Sequence, residues 1–102
     1  MLNLAQPVTY QQFGGMAAAE FLRLLKAYCA CGGNMHPQAL KAVVLKLTYL
    51  SRDLSIKQHE RDEAAGLATN LANAAIQSYG RQSAFCAELV AEVQMVLGRS
   101  MA

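Results

Sequence analysis

The sequence predicts an all-α protein, a compact four-helix bundle in which a helix over about 55–79 is central. Apolar residues recur at three- and four-residue steps in four stretches, which is the spacing of helices buried on one side. Glycine or proline lies near the ends of most of these stretches, and no stretch alternates in the two-residue step of a strand. The 102 residues form one domain, 1–102, and short connections favour an antiparallel up-down order.

The N-terminal segment 1–8 is expected to be a flexible, extended or loosely held arm, because its proline disfavours helix at the preceding residue. Thr9 and Gln12 have the spacing of a helix cap, but the glycine pair that follows weakens the helix there. The first firm helix is predicted over 16–31, and the next glycine pair, Gly32 and Gly33, ends it.

Local signals also mark the next two helices. Pro37 suits the first position of a second helix that runs to about Arg52. Ser55 and Gln58 form a capping pair for the third helix, and Gly80 supplies the residue that ends it. Apolar residues cover nearly the whole circumference of the third helix, so we expect it to be buried at the centre of the bundle.

A fourth helix is predicted over 84–97, with Ser83 as its cap and Gly98 as its end. The periodicity also predicts which residues are buried. Those expected in the core are Ala17, Phe21, Leu24, Leu25 and Tyr28 on the first helix, Leu40, Val43, Val44, Leu47 and Leu50 on the second, Ala64, Leu67, Ala68, Leu71, Ala75 and Tyr79 on the third, and Cys86, Leu89, Val90, Val93 and Leu97 on the fourth.

The composition predicts an interaction surface. Hydrophobic residues make up 54% of the chain and charged residues only 16%, against about a quarter in typical globular domains. A domain this small has a large surface for its volume, so part of its apolar surface is expected to meet another chain. The net charge of +2, spread along the sequence, implies no particular electrostatic partner.

Leu45 and Tyr49 fall outside the apolar stripe of the second helix, and Met95 falls in an exposed position of the fourth. We therefore expect these residues to contact a partner protein. The predicted function is that of a protein-binding module (an adaptor, chaperone or inhibitor) that also self-associates, as a dimer or larger homo-oligomer.

The alternative is a dimeric DNA-binding regulator that uses the 50–63 region. This region resembles the turn of a helix-turn-helix motif, with Leu54 and Ile56 as its core residues. Lys57, Gln58 and Arg61 would then open the recognition helix and contact DNA. The acidic residues that follow have the wrong charge for phosphate, so this function is the second choice.

No enzymatic activity, metal or cofactor is expected. His59 and Glu63 share a helix face but lack the second histidine of a zinc-protease motif. Cys29, Cys31 and His36 lack the spacing and fourth ligand of structural zinc, so the thiols are interpreted as buried and reduced. With no secretory signal and no apolar stretch long enough to cross a bilayer, the protein is expected in the cytoplasm.

Overall fold

The computed structural model describes residues 4–30, 35–80 and 82–97. Within these ranges the chain forms a 3₁₀ helix and four α-helices and contains no strand, which confirms the all-α bundle. No helix in the described ranges is long and apolar enough to cross a membrane. The elements are the 3₁₀ helix Tyr10–Phe13, α1 Ala18–Ala30, α2 Pro37–Leu50, α3 Gln58–Tyr79 and α4 Ala84–Leu97.

Helix α2 is the most completely buried element, and it packs against the 3₁₀ helix, α3 and α4. Its start follows the predicted chemistry: Pro37 occupies the first turn, and the Nδ1 atom of His36 accepts a hydrogen bond from the Gln38 N–H at 3.1 Å. All five residues predicted for its core are buried, together with Ala39, Ala42 and Thr48. The Thr48 hydroxyl donates to the Val44 carbonyl at 2.7 Å, so this buried polar group is satisfied.

Helix α3 contacts α1, α2 and α4, which confirms its central position. It begins at Gln58, however, and the predicted capping pair is not formed. Instead, the Asp53 carboxylate accepts the backbone N–H of Ser55 at 2.9 Å and its hydroxyl at 2.6 Å. The Lys57 N–H donates to the Glu60 carboxylate at 3.3 Å and so forms the start of the helix.

The prediction that α3 is buried nearly all round is wrong. The structure describes the whole of α3, and its fully buried side chains are all alanines: Ala64, Ala68, Ala72 and Ala75. Its larger apolar residues are only partly covered, and Tyr79 is exposed. Gly80 follows with a φ of 88°, and its N–H donates to the Ile76 carbonyl at 2.9 Å, which ends the helix as predicted.

The N-terminal segment is packed onto the core from its first described residue. Leu4 and Val8 are 1% and 3% exposed, and the Leu4 carbonyl accepts a hydrogen bond from the His36 N–H at 2.8 Å. The expectation of a loose arm is therefore wrong for residues 4–8, because two apolar side chains anchor them. Residues 1–3 lie outside the described part of the chain.

The 3₁₀ helix joins this segment to α1. The Thr9 N–H donates to the Gln12 side chain at 2.8 Å, so the predicted cap forms, although it supports a single turn. Phe13 packs edge-on against Phe21 of α1, with 5.0 Å between the ring centroids. Helix α1 buries Leu22, whereas Leu24, which was expected in the core, is only half-buried.

Helix α4 has the predicted bounds. The Ser83 hydroxyl oxygen accepts a hydrogen bond from the Cys86 N–H at 3.2 Å, which confirms Ser83 as the cap. Cys86, Leu89 and Val93 are buried, whereas Val90 is half-buried. The predicted helix-ending glycines Gly32, Gly33 and Gly98 and the side chain of Leu97 lie outside the described residues.

Candidate interaction surface

The outer face of α2 carries two of the predicted contact residues. Leu45 is half-buried, and Tyr49, one turn later, is 50% exposed. The ring of Tyr10, from the 3₁₀ helix, meets Tyr49 edge-on at a centroid distance of 5.9 Å. Burial, and secondarily the neighbouring Tyr49, raise the pKa of Tyr10, so the Tyr10 phenol is neutral at physiological pH. Together these residues form an uncharged, largely apolar strip.

An open groove lies beside this strip, between the N-terminal segment and α2. We call it the α2 groove; it encloses about 220 Å³. This volume is below the roughly 300–1,000 Å³ typical of small-molecule sites, and it suits one or two side chains of a partner. The groove is lined by Val8, Thr9, Tyr10, Gln38, Lys41, Ala42, Leu45 and Glu92.

Charged residues from α2 and α4 form one wall of the α2 groove. The Lys41 ammonium lies 3.2 Å from a Glu88 oxygen and 3.3 Å from the Glu92 Oε1 atom. The hydrogen bond with Glu88 raises the pKa of Lys41 above its ordinary value, which keeps the ammonium charged. The Glu92 Oε2 atom is enclosed by protein and receives no hydrogen bond from the described residues. The carboxylate is therefore only half satisfied.

Met95 lies on α4, one turn after Glu92, and is 78% exposed. Met95 is therefore on a different helix from Leu45 and Tyr49, and it follows Glu92 of the groove wall by three residues. Of the other methionines, Met35 packs partly against the core, and Met101 lies outside the described residues.

Leu54 is the most exposed large apolar residue in the described ranges, at 87%. The helix-turn-helix alternative placed Leu54 in the core of the turn, and this placement is wrong. Asp53 and Ser55 bond to each other on either side of it, which leaves the intervening side chain directed to solvent. Asp-x-Ser is itself a turn signal, in which the first side chain bonds to the backbone two residues later.

The 50–63 region does not offer the predicted DNA-contacting side chains freely. Arg61 donates to the backbone carbonyls of Asp53 at 3.3 Å and Ile56 at 2.8 Å, and also to the Gln58 side chain. The Gln58 amide in turn donates to Asp62 at 2.8 Å. Arg61 and Gln58 thus hold the turn and the first turn of α3, while Lys57 is exposed.

The residues considered for metal binding are engaged elsewhere or apart. Glu63 forms an ion pair with Lys26 of α1 at 2.9 Å, beside His59 in a second, polar groove of about 250 Å³. Across the described ranges, no three potential metal ligands cluster together. Cys29 is exposed, which corrects the expectation of a buried thiol, and Cys31 lies outside these ranges.

Cys86 has the environment expected of a structural thiol. It is fully buried between α3 and α4, and its Sγ atom donates to the Ala75 carbonyl at 3.3 Å. This contact fixes the side chain at the helix interface and leaves it inaccessible to a substrate.

Comparisons with protein-family models, with curated proteins and with solved structures found no match.

Proposed function

We propose that this protein is a small binding module for another protein and acts through the α2 groove and the adjoining ring of Tyr49. One observation carries the proposal: the ring of Tyr10 packs against the exposed ring of Tyr49 and, together with Leu45, lines a cleft sized for side chains. Exposed tyrosine is well suited to such contacts because its ring is large, rigid and amphipathic.

The composition supports the same proposal. Few charged residues are available to cover this chain, and the described ranges expose four large apolar residues: Tyr49, Leu54, Tyr79 and Met95. Tyr79 is packed edge-on against Phe85, with 5.1 Å between the ring centroids, so it is the least free of the four. We assign the primary contact to Leu45 and Tyr49 and an accessory contact to Met95.

The test compares two contact-surface variants with a matched control. Tyr49→Glu and Leu45→Glu place a charge in the contact surface, whereas Asn73→Glu places the same charge on the exposed face of α3. Affinity capture from the native host, quantified by mass spectrometry, is expected to recover a partner with the wild type and Asn73→Glu but not with the other two. Circular dichroism checks that each variant retains its helices.

Mass in solution separates a foreign partner from a second copy of this chain. A dimer that Tyr49→Glu converts to monomer identifies the partner as the chain itself. Recovery of the same proteins by all four forms contradicts the proposal. Duplex DNA binding that weakens steeply with salt and depends on Lys57 would instead support the regulator alternative.

A further inference from the structure

We propose that the α2 groove recognises a segment of a partner protein that places a lysine or arginine against Glu92 and an apolar side chain against Leu45. This inference rests on the proposed function and specifies the chemistry of the partner. It follows from the charges of the groove wall, the state of one carboxylate and the size of the cleft.

The charge cluster at the groove carries one surplus negative charge, because Lys41 and Glu92 line the groove and Glu88 pairs with Lys41 from outside it. Lys41 supplies one positive charge, and Glu88 and Glu92 supply two negative charges, at distances of 3.2 and 3.3 Å. A partner cation would complete a network of alternating charges, and such complementarity steers both encounter and specificity. A partner carboxylate at this position would meet repulsion.

Glu92 is the carboxylate placed to receive that cation. Its Oε1 atom is paired with Lys41, while its Oε2 atom has no donor among the described residues. The side chain keeps 34% of its surface exposed, and the last torsion of a glutamate is soft. A small rotation therefore presents Oε2 to a donor in the groove without breaking up the helix. Glu88, by contrast, does not line the groove.

The remainder of the groove selects an apolar neighbour for the cation. Leu45, Val8 and Ala42 supply the apolar lining, and the volume of about 220 Å³ admits one or two side chains. The aliphatic stem of lysine or arginine can lie along such a surface while its charged end reaches a carboxylate. A two-fold pairing of this groove with its copy would bring together two clusters that each carry one surplus negative charge, which favours a different, basic segment as the occupant.

The test uses a displayed library of random 12-residue peptides, selected on the immobilised full-length protein. Selected peptides are then synthesised, and their affinities are measured by fluorescence anisotropy for the wild type, Glu92→Gln, Glu88→Gln and Tyr49→Glu. Glu88→Gln is the matched control, because it removes the other partner of Lys41 outside the groove. We expect peptides with a lysine or arginine beside apolar residues, and binding weakened about 10- to 100-fold by Glu92→Gln.

A charge exchange makes the assignment specific. Glu92→Lys is expected to abolish binding of the lysine-containing peptide and to bind the peptide in which that lysine is replaced by glutamate. Selected peptides without a basic residue, or equal binding by the wild type and Glu92→Gln, overturn the inference. In those cases, the proposed function still stands if the selected peptides bind the wild type but not Tyr49→Glu.

Two further outcomes are also decisive. A library that yields no peptide sensitive to Tyr49→Glu overturns both the inference and the proposed function. A concentration-dependent dimer that Tyr49→Glu dissociates and Glu92→Gln leaves intact assigns the surface to a second copy of the chain. That outcome also overturns the inference.

Discussion

Truncation of Tyr49 is expected to cost far less stability than truncation of its near neighbour Leu47. The two residues lie two positions apart on α2, but Tyr49 is 50% exposed and Leu47 is fully buried. Tyr49→Ala removes the buried half of the ring surface and one edge-to-face contact with Tyr10, so it should lower the free energy of unfolding by about 1–1.5 kcal/mol. Leu47→Ala leaves a cavity at the centre of the bundle, about 2–5 kcal/mol.

Urea denaturation followed by circular dichroism measures both values. In thermal terms, a loss of 1 kcal/mol lowers the Tm by ~5 °C in a domain of this length. A double-mutant cycle between Tyr10→Ala and Tyr49→Ala isolates the ring contact, for which we expect about 0.5–1.5 kcal/mol of coupling.

The outcome bears directly on the interaction surface. If Tyr49→Ala destabilises the protein as strongly as Leu47→Ala, then Tyr49 belongs to the core. The loss of partner binding in Tyr49→Glu would then report unfolding, and the surface would have to be reassigned. A small loss with unchanged helicity supports Tyr49 as a contact residue.

Four further predictions test the fold. Leu4→Ala is expected to cost about 2–5 kcal/mol in urea denaturation, whereas a loose arm would leave the midpoint unchanged. Gly66→Ala should stabilise the protein by about 0.5–1 kcal/mol, since Gly66 is an open position inside a helix. Gly80→Ala should destabilise it by about 1–3 kcal/mol, since the φ of Gly80 is 88°. Equal effects of the two substitutions would contradict these two backbone conformations. The ion pair of Lys41 contributes fully to the free energy of unfolding below the ordinary lysine pKa of 10.5, and this contribution is lost as the pH rises through the raised pKa. Lys41→Met should therefore reduce the loss of stability at alkaline pH by at most ~1 kcal/mol. The same alkaline loss in the wild type and in Lys41→Met would exclude the ion pair. Arg61→Ala should lower the free energy of unfolding by about 1 kcal/mol, because the Asp53 and Ile56 carbonyls lose their donor. An unchanged stability would show that these hydrogen bonds do not hold the turn.

Helix α2 could be predicted from the sequence because its signals agree with one another. Pro37 marks the start, and leucine and valine recur at helical spacing through Leu50. Leucines and valines at this spacing are removed from water together only when one face of a helix packs against the core, so the pattern predicts a helix and its buried face. The same spacing identified Leu45 and Tyr49 as residues outside the stripe, and the structure places both at the surface cleft or its edge.

The start of α3 could not be predicted because two local solutions compete within a few residues. Ser55 can cap a helix with Gln58, or it can bond back to Asp53, and each choice involves about 1 kcal/mol. The packing of Ile56 against the core, a tertiary contact, accompanies the second choice. A difference this small between alternatives is decided by tertiary contacts.

The candidate site was only partly predictable for a related reason. Its α2 residues follow from periodicity, but its other walls come from Tyr10 and from Glu92, which are distant in sequence. Leu4 and Val8 hold the N-terminal segment in place, and their burial depends on the space left between helices. No local pattern in the first ten residues signals that space.

The buried alanines of α3 should tolerate a different kind of substitution from the larger buried residues of α2. Ala64, Ala68, Ala72 and Ala75 sit with 0–1% exposure, so their neighbours already occupy the volume that longer side chains would need. A systematic substitution map should therefore show opposite selection on adjoining helices. Smaller residues would be harmful at the buried positions of α2, and larger residues would be harmful at the buried alanines of α3. Only glycine, serine and alanine are expected to be tolerated at those α3 positions.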